Sequence, residues 1–219
     1  MEYGQTGPAA AEPYPLTYSV DYPDRELNRL TTFFRLFTVI PIAIVLGAVS
    51  GGTYTWDWGG PNNASTTIAV AGGFLFLAPL LMILFRKKYP RWWFDWNREL
   101  ARFTARVHVY FALLTDQYPS TDEQQSVHLE IVYPDAESDL ARGMPLVKWL
   151  LAIPHYIVLF FLGIAAFVSV IIAWFAILFT GTYPRSLFDF IVGVYRWGLR
   201  VAAYAFLLVT DRYPPFSLE

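Results

Sequence analysis

"LFDFIVGVYRWGLRVAAYAF", residues 187–206, is long and apolar enough to cross a bilayer, yet it carries Asp189, Arg196 and Arg200. Whether it crosses a membrane or lies on one decides the architecture of the chain. At 100° per residue the three charges fall within about 40° of one another, a single stripe on an otherwise apolar helix. The segment WWFDWNRELARFTARVHVYFALL, residues 92–114, follows the same plan with more charge: Asp95, Arg98, Glu99, Arg102, Arg106 and His108. Each charge at the centre of a span costs about 2.5–3.5 kcal/mol even on lenient insertion scales. Both stretches, about 92–114 and about 187–209, therefore read as interfacial helices, with aromatics in the acyl boundary and arginines toward headgroup phosphates.

Composition points to a membrane protein. Of its 219 residues 55% are hydrophobic, 18% aromatic and 16% charged, with a mean hydropathy of +0.37; an ordinary soluble domain has about 25% charged residues. The absence of cysteine excludes disulfides, thiolate metal sites and thiol catalysis. A net charge of -2 argues against nucleic acid as a partner, because affinity for it comes from clustered cations. Residues 1–13 have neither the basic nor the apolar region of a cleaved signal peptide, and their Pro, Gly and Ala content predicts a flexible tail.

The chain repeats itself. Tyr22-Pro23-Asp24 matches Tyr133-Pro134-Asp135, Ile40-Pro41 matches Ile153-Pro154, and Tyr89-Pro90-Arg91 matches Tyr183-Pro184-Arg185. Asp95, Arg102 and Arg106 match Asp189, Arg196 and Arg200, and each half closes on Thr-Asp-x-Tyr-Pro, at 115–119 and 210–214. The matches predict two tandem parallel copies, 14–120 and 126–219, joined by a polar linker at 121–125. LTYSVDYP and VHLEIVYP alternate and are rich in β-branched and aromatic residues, so each copy is expected to open on a short strand.

Spans are expected at about 33–50 and 66–85, and in the second copy at about 146–162 and 164–179, a hairpin turning near Gly163; the alternative is one long, kinked helix. The expected fold is thus mainly α, with four spans, and each copy consists of a strand, a transmembrane hairpin and an interfacial helix. The expected hairpin tips carry no lysine or arginine, so all 16 basic residues fall on or near the other side. The positive-inside rule makes that side the cytoplasm and places both termini there, in a multi-pass protein of the cell membrane.

YPRSLFDFIVGVYRWGLRVAAYAFLLVTDRYPPF, with LLAIPHYIVL and AWFAILFTGTYP before it, resembles a bacterial family of integral membrane proteins catalogued as a domain of unknown function and common in actinobacteria. The resemblance covers the second copy and, more weakly, the first. It implies a membrane location and this helix arrangement, and it supplies no activity.

Candidate chemistry is sparse. His155 lies inside an expected span, where a neutral imidazole could ligate a metal or pigment; the plainer reading is a histidine satisfied by the backbone or a neighbouring side chain, helped by the carbonyl that Pro154 leaves free. No zinc-ligand spacing occurs, so neither a metal nor a cofactor is expected. Asp95 and Asp189 read as helix-start acids, and Asp116 and Asp211 as turn formers. Arg102, Arg106, Arg196 and Arg200 are the most functional-looking set, suited to anionic lipid headgroups or a partner's carboxylates. In the loop TYTWDWGGPNN, Trp56 and Trp58 suit an interfacial anchor or a partner contact. The expectation is a non-enzymatic accessory or scaffolding subunit packed against membrane lipids or a membrane-protein partner. A small transporter or channel for a lipid or hydrophobic solute is the first alternative, and a lipid-modifying enzyme the second.

Overall fold

The computed structural model describes residues 13–50, 53–57, 65–69, 77–121, 123 and 125–219. The chain order is β1 (Leu16–Val20), α1 (Arg29–Phe33), α2 (Arg35–Ser50), β2 (Thr53–Asp57), β3 (Ser65–Ala69), α3 (Leu77–Arg86), α4 (Arg91–Phe111), β4 (Val127–Ile131), α5 (Met144–Leu151), α6 (Ile153–Thr180) and α7 (Arg185–Ala205). The fold is predominantly helical, with small two-stranded sheets.

The four-span expectation is overturned. Among the described residues one helix, α6, is long and apolar enough to cross a membrane. Its 28 residues run through Gly163 without a turn. One isolated glycine costs a helix only about 1 kcal/mol relative to alanine, whereas a turn in lipid would strand backbone groups that the continuous helix pairs. The break comes earlier, at Ala152, where Pro154 lacks the N–H that would continue the ladder from α5. The helix stops at Gly181, whose φ of 78° places it in the left-handed region and whose N–H bonds Ile177 O.

The other expected spans are short. α2 has 16 residues and α3 only 10, about 24 and 15 Å at 1.5 Å per residue. The stretch expected to open the span at 66 instead forms β3, paired antiparallel with β2, because Ser-Thr-Thr-Ile suits a strand better than a helix. With four spans gone, the multi-pass path that placed both termini in the cytoplasm loses its basis.

The two-copy arrangement is corrected as well. Side-by-side units, each holding its own strand and helices, do not form; elements are exchanged across the middle of the chain. Strand β1 pairs antiparallel with β4, Leu16 opposite Ile131 and Tyr18 opposite Leu129. β4 lies against α4, and β1 lies against α7. Tyr22 Oη donates to Tyr183 O, and Tyr133 Oη to Tyr89 O; Tyr89 Oη donates to Leu207 O, and Tyr183 Oη to Ala112 O. Each of these four tyrosines thus reaches into the opposite half. A two-stranded ribbon is marginal alone, so it needs the helices on its buried face, and that face (Leu16, Tyr18, Leu129, Ile131) joins Phe94, Val109, Tyr183, Phe188 and Ile191 in one core.

The opening stretch lies inside this arrangement. α7 returns along α6 after a four-residue turn and buries Phe188, Ile191, Val192, Trp197, Val201 and Tyr204. It is not among the helices apolar enough to span.

Candidate functional site

The arginine stripes face the ribbon. In an antiparallel pair, alternate residues turn their N–H and C=O away from the partner strand. Val132 N bonds Pro15 O and Asp21 N bonds Ser126 O, so 15, 17, 19 and 21 are the bonded positions, and Tyr18 and Leu129 point their carbonyls outward. Arg196 Nε donates to Tyr18 O at 2.8 Å, and Arg102 Nε to Leu129 O at 3.0 Å. Two matched arginines therefore close the two free edges of the ribbon at one cross-strand pair. Arg102 Nη2 also holds both oxygens of Glu130 at 2.8 Å, and Nη1 holds Glu99 at 2.9 Å. Arg196 Nη1 donates to Leu218 O at 3.0 Å.

Arg106 and Arg200 lie one turn further along. Arg106 Nη1 donates to Ser120 O at 2.8 Å, while its Nε and that of Arg200 are buried without hydrogen-bond partners. Burial, reinforced by neighbouring Arg196, lowers the Arg200 pKa from its ordinary value. Trp56 sits on β2 opposite Thr66; Trp58 lies outside the described residues.

Two ion pairs are buried where apolar helices begin. Arg35 Nη2 is 2.6 Å from Asp116 Oδ1, with side chains 3% and 12% exposed, and its guanidinium lies 3.9 Å from the centroid of the Tyr110 ring. Asp116 Oδ2 also accepts Asn28 N at 2.7 Å. In the second half Lys148 Nζ is 2.6 Å from Asp211 Oδ1, with side chains 0% and 20% exposed. That approach lies off the hydrogen-bond direction; the aligned bond of the ammonium goes to Thr210 O at 2.8 Å. Asp211 Oδ2 accepts Ala141 N at 2.6 Å. Burial pulls the Lys148 pKa below its ordinary value, while Asp211 pulls it up. The two aspartates of Thr-Asp-x-Tyr-Pro are thus counterions as well as loop residues. The sequence signal was a lone cation at the head of an apolar run in each half, matched by an acid in each closing motif.

His155 is fully buried in α6 among aromatic rings. Phe216 stacks on it with centroids 4.0 Å apart, Tyr213 lies tilted at 4.8 Å, and Trp197 meets it edge-on at 5.8 Å. Trp197 Nε1 donates to His155 Nδ1 at 3.0 Å, and His155 Nε2 has no partner. These rings lie far from His155 along the chain, Trp197 by 42 residues, with no spacing that marks them. The described residues contain no group of three or more His, Cys, Asp or Glu placed to hold a metal ion.

Residues 144–217 match the family model described as Domain of unknown function (DUF4389). The match takes in α5, α6 and α7, both members of the Lys148–Asp211 pair, and His155 with its three aromatic neighbours. No curated protein and no solved structure matches the chain.

Proposed function

We propose that the protein is an integral membrane accessory or scaffolding subunit, without catalysis of its own, that packs against lipids or other membrane proteins. The observation that supports this reading is the surface of α6. It carries no charged residue, and only 11% of its most apolar 18-residue window is buried. Phe160, Phe161, Phe167 and Phe179 are each at least 60% exposed, although burying a side chain of this size is worth about 1.5–3 kcal/mol. A helix apolar all round belongs in lipid or in a protein core. At about 42 Å it exceeds the roughly 30 Å hydrocarbon layer, so it would cross with tilt or with its ends in the headgroups.

Other surfaces support the same surroundings. Leu36, Phe37, Ile40 and Ile44 on α2, and Leu146, Trp149 and Leu150 on α5, are exposed. The cluster Arg86, Lys87 and Lys88 is assigned to the cytoplasmic edge by the cationic bias of cytoplasmic loops, where anionic headgroups would meet it. The arginines of α4 and α7 would serve lipids or a partner only through nitrogens not already bonded to the ribbon.

The test is extraction and recovery from native membranes. The protein should resist alkaline carbonate extraction and co-purify with a defined membrane protein or lipid class in mild detergent. Release by carbonate, or a monodisperse chain carrying neither protein nor lipid, would refute the reading.

A further inference from the structure

Trp197 fixes the tautomer of His155. An indole N–H only donates, so Nδ1 must present a lone pair, and the neutral ring must carry its proton on Nε2. A charged ring would set two donors against each other at 3.0 Å. His155 therefore offers a single N–H, buried and without a partner. A proton at Nε2 leaves no lone pair there for a metal, so the site calls for a hydrogen-bond acceptor. The aromatic surroundings disfavour a charged acceptor, which would lose its hydration with nothing to replace it.

One wall is removable. Phe216 is stacked flat on the imidazole yet is 53% exposed, and it belongs to the segment after α7 that has no helix or strand. The same helix turn exposes Ile153 and Ile157, so the site adjoins the surface assigned above to lipid.

We propose that His155 Nε2, walled by Trp197 and Tyr213, binds a carbonyl oxygen carried by a lipid-phase molecule, a quinone ring or a glycerolipid ester, which enters by displacing the Phe216 ring. This rests on the membrane reading above. The site supplies one hydrogen bond and a stacking surface and performs no covalent step.

The experiment uses the full chain labelled with ¹⁵N-histidine in lipid nanodiscs, with decylubiquinone as the added probe and discs of either diester or diether phosphatidylcholine. In the wild type the His155 resonances should show an unprotonated Nδ1 and a protonated Nε2. A saturable shift of the Nε2 resonance with decylubiquinone identifies a quinone site. A difference between diester and diether discs, unaffected by decylubiquinone, identifies the glycerolipid carbonyl. In whichever arm responds, Phe216→Ala should strengthen binding, read on the same His155 resonance, because the ring that must be displaced is gone.

A protonated Nδ1, no response in either arm, or weaker binding by Phe216→Ala overturns the proposal; the wild-type measurements hold even where a variant does not fold. Incorporation into discs is read by size-exclusion in the same samples. A chain that incorporates but shows no response refutes the site alone, and one that does not incorporate refutes the membrane reading with it.

Discussion

Asp211→Asn tests the buried pair with the least collateral change. An asparagine carbonyl can still accept Ala141 N, so the backbone tie at 2.6 Å survives and only the charge is lost. Lys148, fully buried, then keeps Thr210 O but loses its counterion. An uncompensated buried charge costs about 3–5 kcal/mol, which at about 2–4 °C per kcal/mol for a chain of this size lowers the Tm by roughly 6–20 °C. Lys148→Met leaves a carboxylate that is 20% exposed and still bonded to Ala141, so its cost is smaller, about 1–3 kcal/mol. Combining them replaces a buried ion pair by neutral groups of similar volume, which is often close to neutral.

The double variant should therefore be more stable than Asp211→Asn alone. Tryptophan emission during thermal unfolding, in one detergent at fixed concentration, reads all four proteins. A pH series adds a second arm. Burial lowers the Lys148 pKa in the fold, and the Asp211→Asn substitution removes the carboxylate that opposes this shift; the unfolded chain keeps its proton to about pH 10.4. Between those two values the unfolded state binds more protons, so stability rises with pH. The Asp211→Asn deficit should accordingly shrink as the pH rises from neutral toward the unfolded lysine's value of about 10.4. Single effects that add within about 0.5 kcal/mol, or a deficit flat across that range, would refute the reasoning.

The exposed pair Arg185–Asp189, with side chains 65% and 57% exposed, is the contrast: Asp189→Asn should change stability by no more than about 0.5 kcal/mol in the same thermal assay. Arg196→Met unpairs the Tyr18 and Leu218 carbonyls and should cost about 2–3 kcal/mol; amide exchange along Leu16–Val20 should accelerate before the helices do. Gly193→Ala places a methyl 2.8 Å from Leu218 O, so the C-terminal segment must lift, read as faster carboxypeptidase trimming with the helices intact. Gly181→Ala forces an alanine to a φ of 78° and should cost about 1–2 kcal/mol of thermal stability. The nearby Glu26 carboxylate, at 2.9 Å from the added methyl, can swing away.

Local pattern was readable in the sequence; what each pattern faces was not. Alternation located both strands of the ribbon, and the charged periodicity located α4 and α7 to within a few residues of their ends. Hydropathy overcounted spans because it does not distinguish a strand such as Ser65–Ala69 from the start of an apolar helix, or a glycine inside a helix from one at a turn. The charge pattern found the face of the arginine stripe, but the acceptors opposite Arg102 and Arg196 are backbone carbonyls, which every residue has and no composition marks. Arg35 and Asp116 are 81 residues apart, and only the matching of one half to the other hinted that they belong together.

That separation constrains how the chain assembles. Lys148 stands just before α6, and its counterion lies beyond α7, in the Thr210–Asp211 loop. Burying its ammonium without Asp211 carries the penalty worked out above. The step that buries Lys148 is therefore coupled to α7 docking along α6. Arg35 is bound in the same way to Asp116, which lies beyond α4 and also holds the backbone of Asn28 at the start of α1. Each apolar entry is locked by the loop that follows a later amphipathic helix. This gives the two charge-striped helices a physical role apart from any ligand: through their closing loops they carry the acids that let cations settle at the heads of helices otherwise suited to lipid.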